Sequence, residues 1–188
     1  ALIYEKDNMV SALEINSETD FVAKNKDFID FCKEVSELTY IHKGDIKKIK
    51  SSKMKNKKSV EESLVNLISK IGEKITLRRT KFFNNEGHNF NYVHNALEKN
   101  VGKVVSIVKI KGKERKDLED IGKKIAMHIA ASAPMALDKN GLDKKIIDKE
   151  LEIIKEELKN SGKKNDIIDK ISIGKINKFI SDNTLLDQ

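Results

Sequence analysis

The chain has 188 residues, of which 38% are hydrophobic and 36% charged, and its formal net charge is +7. That length supports one or two domains with real cores, and no run approaches the roughly 18 apolar residues of a membrane span. A single cysteine, Cys32, excludes an internal disulfide, and His42, His88, His94 and His128 form no pair at metal-ligand spacing, so neither a disulfide scaffold nor a metal centre is expected.

The positive charge is almost all lysine, with arginine only at Arg78, Arg79 and Arg115. Base readout leans on arginine forks and stacking on aromatics. Neither pattern is present, so direct nucleic-acid binding is not expected as the main role. The opening "ALIYEKDNMV" has no basic-then-apolar leader and no initiator Met, which reads as a piece of a longer protein.

Residues 1–17 predict a hairpin: "ALIYEK" and "MVSALEIN" flank a "DN" turn. Ser17 and Thr19 offer N-caps, and one helix is expected over residues 20–38, with Phe21, Phe28, Phe31, Cys32, Val35 and Leu38 at helical spacing. Cys32 falls on that apolar face and is expected in the core. Residues 40–58 form a basic connection with a short helical piece. A second helix covers residues 60–71 and ends at Gly72. "KITLRRTKFF" at residues 74–83 then predicts a strand.

After the "NNEGHN" loop the pattern restarts. Strands are expected over residues 90–97 and 101–112, joined by "EKN", and a helix over residues 114–132. That helix turns Leu118, Ile121, Ile125, Ala126, Ile129 and Ala130 inward, and Pro134 stops it. No third strand for this second half is visible. Residues 143–181 carry Ile146, Ile147, Leu151, Ile154 and Leu158, a "SGK" turn, then Ile167, Ile168, Ile171, Ile176 and Phe179. This predicts an antiparallel helical hairpin of coiled-coil type. The expected fold class is α+β: two tandem related units, each an antiparallel sheet packed on helices, at residues 1–86 and 87–142, with the second incomplete, followed by the helical hairpin and tail at residues 143–188.

The stretch "TDFVAKN" poses the functional question. Asp20 suits the positive end of a helix dipole, but Phe21 beside it in the first turn is not an obvious core residue. Phe burial rates favour packing under its own sheet; the competing reading is a side chain that enters another protein.

Three stretches together resemble translation elongation factor Ts: "ETDFVAKN" (residues 18–25), "KIGEKITLRR" (70–79) and "IAMHIAASAP" (125–134). They occur in the order and contexts of that family, from about residue 9 to the chain end. The resemblance implies a guanine-nucleotide exchange factor for elongation factor Tu, acting without bond chemistry, catalytic residues, metal or cofactor. It implies that Thr19, Asp20 and Phe21 form a wedge, with Phe21 entering between two helices near the magnesium and nucleotide site of Tu. Val101 and Gly102 match a pair near the same interface, and His128 a residue facing another domain of Tu. It further implies an N-terminal module like ubiquitin-associated domains and a closing C-terminal strand, both outside this sequence. The family's frequent Glu after Pro134 is Met135 here.

Competing readings are an RNA-binding protein using the basic surface and a scaffold or oligomerisation protein using the hairpin. Self-association through the core or the hairpin is a further partner expectation; a membrane is not. The Lys, Asn and Ile bias, together with divergence around residues 83–112, points to a mitochondrion, with a plastid or the bacterial cytoplasm as alternatives.

Overall fold

The computed structural model describes residues 1–162 and 165–188. Asp7 and Asn8 both adopt left-handed backbone, φ 50° and 56°, the two-residue turn that matches the twist of a tight hairpin. They join β1 (Leu2–Lys6) to β2 (Met9–Asn16) in antiparallel register, Lys6 opposite Met9 and Leu2 opposite Leu13.

The helix expected over residues 20–38 is two helices. A single turn, α1 (Asp20–Ala23), closes with Lys24 and Asn25 donating to the Phe21 and Val22 carbonyls. Asn25 then takes extended backbone and its side chain caps Phe28 N–H at 3.2 Å, starting α2 (Lys26–Ile41). The short polar side chain of Asn competes with the helix for backbone donors, which is why it breaks the run.

The basic connection holds α3 (Ile46–Ser51), capped by Asp45. Next, α4 (Val60–Ile71) opens on a capping box between Ser59 and Glu62 and ends at Gly72 with φ 81°. Strand β3 (Thr76–Phe83) pairs with β2, and a bulge places Arg78 and Arg79 together beside Glu14.

Leu2, Leu13, Ile15, Val22, Phe28, Phe31, Cys32, Val35, Ile49, Val60, Leu67 and Leu77 are among the residues of one continuous buried cluster beneath this sheet. Cys32 lies within it, and burial pushes its thiol up to about 12.

Strands β4 (His88–Glu98) and β5 (Val101–Ile110) form the second hairpin. It does not stand as a separate sheet. Leu2 pairs with Val101, Ala1 exchanges backbone bonds with Gly102, and Ile3 N–H donates to the Asn100 carbonyl at 3.0 Å. The result is one antiparallel sheet of order β3-β2-β1-β5-β4.

Helix α5 (Leu118–Ser132) begins later than residue 114, because Leu118 N–H closes a turn on the Arg115 carbonyl and Arg115 pairs with Asp117. It approaches the second hairpin closely. Ser106 Oγ donates to the Ala126 carbonyl at 2.6 Å, and a Cβ on Gly122 would lie 2.1 Å from the Phe90 ring. Leu118, Ile125, Ile129 and Ala130 are half-buried, whereas Ile121, expected inward, is exposed at the edge of that stripe.

The chain divides into two compact units, Ala1–Ala130 and Ala131–Gln188. In the second, a 3-10 turn (Lys139–Gly141) capped by Asp138 precedes α6 (Lys144–Asn160) and α7 (Asn165–Asn183). Ile154, Leu158 and Ile168 form the buried seam of this hairpin, with Ile171 and Ile176 against it. Of the expected "SGK" turn, Ser161 and Gly162 are turn residues, with Gly162 at φ 73°, and Lys163 lies outside the described residues. The tail returns to the start of the unit: Ala136 pairs in parallel with Thr184, and Leu185 N–H donates to the Ala136 carbonyl at 3.0 Å. Among the described residues, no helix is long and apolar enough to cross a membrane.

Candidate functional site

Phe21 is 87% exposed, while its neighbour Val22 is buried in the main cluster. The split between α1 and α2 produces this. A turn of only four residues turns one side chain into solvent and the next into the core.

The turn is tied down at its N-terminus. Thr19 Oγ1 accepts from Val22 N–H at 3.4 Å and donates to Glu73 Oε1 at 2.8 Å, while Thr19 N–H donates to Glu73 Oε2 at 3.1 Å. Glu18 accepts from Lys74 N–H at 3.2 Å. The loop after α4 therefore clasps the residues before α1 through two carboxylates. Asp20, the first residue of the turn, pairs with Lys103 on β5, with Nζ at 3.0 and 3.2 Å from its two oxygens. Both side chains are more than half exposed, so this pair orients more than it stabilises.

The structure thus brings Thr19, Asp20 and Phe21 together with the start of β5. Val101 itself is buried, and Gly102 is walled by Val93 Cγ1 at 2.6 Å and the His94 carbonyl at 2.7 Å from where a Cβ would stand. These two residues fix the strand from which Lys103 reaches Asp20. His128 is exposed on α5, two residues after the fully buried Ala126, and so belongs to the second hairpin. Sequence pattern alone does not single out Glu73 and Lys103. Glu73 lies inside "KIGEKITLRR", and its one signal is an acid directly after a helix-ending glycine.

The remainder of that motif supports β2. Glu14 accepts from Arg78 at 2.7 Å and also from Arg79. Burial works to raise its pKa, but the two guanidinium hydrogen bonds outweigh it and hold the carboxyl below its usual range. In "IAMHIAASAP", Ala126 allows the close approach to β5 and Ala133 takes left-handed backbone at φ 48° before Pro134. Among the described residues no three His, Cys, Asp or Glu side chains gather where they could hold a metal ion.

Fold and tip together define an α+β protein that carries a solvent-facing aromatic on a short, multiply anchored helix. The chain belongs to the elongation factor Ts family: a family model described as Elongation factor TS matches residues 18–188. It is similar to Elongation factor Ts of Rickettsia felis (strain ATCC VR-1525 / URRWXCal2), 40% identical over 179 residues, covering 94% of this chain and 58% of that protein. Elongation factor Ts of Rickettsia bellii (strain OSU 85-389) gives the same identity and coverage. That of Rickettsia prowazekii (strain Madrid E) is 41% identical over 186 residues, covering 97% of this chain and 60% of the relative. The chain therefore spans about three fifths of the length of these bacterial relatives.

Proposed function

We propose that this chain is the partner-engaging core of a guanine-nucleotide exchange factor for elongation factor Tu, and that Phe21 drives the exchange. The observation that carries this reading is the exposure of Phe21 on a turn held by Glu73, Lys103 and Val22, in a chain of the elongation factor Ts family.

Exchange needs no bond to be made or broken. It needs a protein that binds the nucleotide-free partner more tightly than the nucleotide-bound one. Linkage then requires that nucleotide affinity fall by the same factor, whereas equal binding to both states would shift nothing. Burying Phe21 in a site that opens only as nucleotide leaves supplies about 1.5–3 kcal/mol of that difference, or roughly one to two decades. Pre-anchoring of the turn limits the entropy lost on docking. Asp20 and Thr19 fix the angle of the wedge, Val101 and Gly102 act through Lys103, and His128 supplies a second contact on another part of Tu. The translation apparatus served is of bacterial type, free-living or organellar, since the relatives named above are bacterial.

The test is GDP release from a cognate Tu–GDP complex, followed by fluorescence of a labelled nucleotide. Phe21→Ala slows the stimulated release by about one to two decades with an unchanged melting curve. A folded variant with full activity overturns the assignment.

A further inference from the structure

The sixteen residues from Lys43 to Lys58 carry eight lysines and one acid, Asp45. Their net charge of +7 equals that of the whole chain, so the remaining residues balance to zero. The basic character of this protein is one local feature and not a general property of its surface.

The segment is built, not loose. Ile49 is fully buried, Met54 nearly so, and Ile46 packs against the same cluster. Ser52 Oγ lies 2.6 Å from His42 Nε2 and donates to the Lys48 carbonyl at 2.7 Å. Met54 N–H donates to the Lys58 carbonyl and Lys57 N–H to the Met54 carbonyl, both at 2.8 Å, with Lys57 at φ 66°. Glu34 on α2 accepts from the backbone N–H of Lys55.

The lysine side chains are left outward. Lys48 lies 3.8 Å from Asp45, and Lys50 lies 3.6 Å from Glu61. Lys43, Lys47, Lys53, Lys55, Lys57 and Lys58 are exposed, and among the described residues none has a carboxylate within ion-pair distance. Placing this many like charges on a fixed backbone costs self-repulsion, which a polyanion relieves.

We propose that this surface binds the phosphodiester backbone of RNA without reading its sequence. Lysine supplies point charges to phosphates but not the bidentate fork that reads bases. The arginines are elsewhere and engaged: Arg78 and Arg79 with Glu14, Arg115 with Asp117. The segment's own apolar side chains turn into the core, which leaves none for insertion among lipids. The surface also begins at the far end of α2 from Phe21, and sixteen helical residues span about 24 Å. RNA and a protein partner at the tip can be held at once.

The experiment is fluorescence anisotropy of a labelled poly(U) RNA of about 20 nucleotides, titrated with the full chain at several salt concentrations from about 50 mM upward. The comparison variant carries Lys47→Ala, Lys53→Ala, Lys57→Ala and Lys58→Ala; a second carries Arg at the same four positions. Binding by the parent falls steeply with salt. The alanine variant binds at least about tenfold more weakly, with a salt slope shallower by about 3, since each lost single-strand phosphate contact removes roughly 0.7. The arginine variant binds as the parent does, and the alanine variant keeps its melting curve and the parent rate of GDP release from Tu. Equal RNA binding by the alanine variant, or no binding by the parent at about 50 mM salt, overturns the proposal. So does parent binding to phosphatidylserine vesicles or poly-glutamate as tight as to RNA, which would reassign the surface to a membrane or an acidic protein.

Discussion

The two β-hairpins are alike as sequence and differ as structure. β1 and β2, extended by β3, lie over α2 and α4 and contribute Leu2, Leu13, Ile15 and Leu77 to the main buried cluster. β4 and β5 contribute only Val101 to it. The second hairpin instead meets α5 through small residues, Gly122 and Ala126, and few positions of its strands are fully buried. Alternation and β-branching are local properties, while depth of burial depends on how many layers cover the strand. The residues proposed to engage a partner follow this division. Phe21 stands on the well-packed half, so its angle is fixed by a real core, and Lys103 from the thinner half steadies it.

The largest effect that tests this contrast is truncation on each side. Leu13 is 1% exposed and Val104 is 43% exposed. Leu13→Ala is expected to cost about 2–5 kcal/mol of unfolding free energy through lost burial and a residual cavity, and Val104→Ala about 0.5 kcal/mol or less. Urea denaturation measures both. Comparable losses would show that the second hairpin has a core as deep as the first.

Gly122 gives a smaller but sharper test, because it asks how the second half packs at all. An Ala Cβ there would sit 2.1 Å from the Phe90 ring, so Gly122→Ala should cost about 1–3 kcal/mol by overpacking. In a Phe90→Leu background the clash is relieved, and the same change should become neutral or stabilise by up to about 1 kcal/mol, the helix-propensity gain of Ala over Gly. A thermal double-mutant cycle without coupling would mean that α5 is not seated on Phe90.

The smallest effect concerns pH and the first half. The folded-state pKa of Glu14 is depressed, so its stabilisation is present above the unfolded carboxylate value and is lost as pH falls through the folded value. Arg78 and Arg79 are more than half exposed, and solvent screening limits the effect of Glu14→Gln near neutrality to about 1 kcal/mol. The variant's stability should also fall less than the parent's as pH is lowered from about 4.5. Parallel pH profiles would remove Glu14 from the account of the bulge.

What was legible in the sequence was what short-range patterns encode. The "DN" turn, α4 between Ser59 and Gly72, and the buried seam of Ile154, Leu158 and Ile168 follow from capping chemistry and periodicity within a few residues, whereas Ile146 and Ile167, expected on the same seam, are exposed. What was not legible required contacts far apart in the chain. Asn25 reads equally well as a mid-helix residue until Val22 is pulled into the core, and nothing near Thr19 announces Glu73, 54 positions away. The joining of the two hairpins rests on Leu2 meeting Val101, a pairing that no local window contains. The position of Phe21 belongs to both kinds. Its motif was visible, but its solvent-facing orientation depends on the break after α1.

Cys32 has a practical consequence. It is the chain's single cysteine, 2% exposed, with its thiol held near 12. The reactive thiolate is therefore scarce at neutral pH, and the side chain is buried in the main cluster on the inner face of α2. The protein is therefore a silent background for maleimide chemistry, and a dye placed on a cysteine introduced beside the tip or on the lysine-rich segment would report from that position alone.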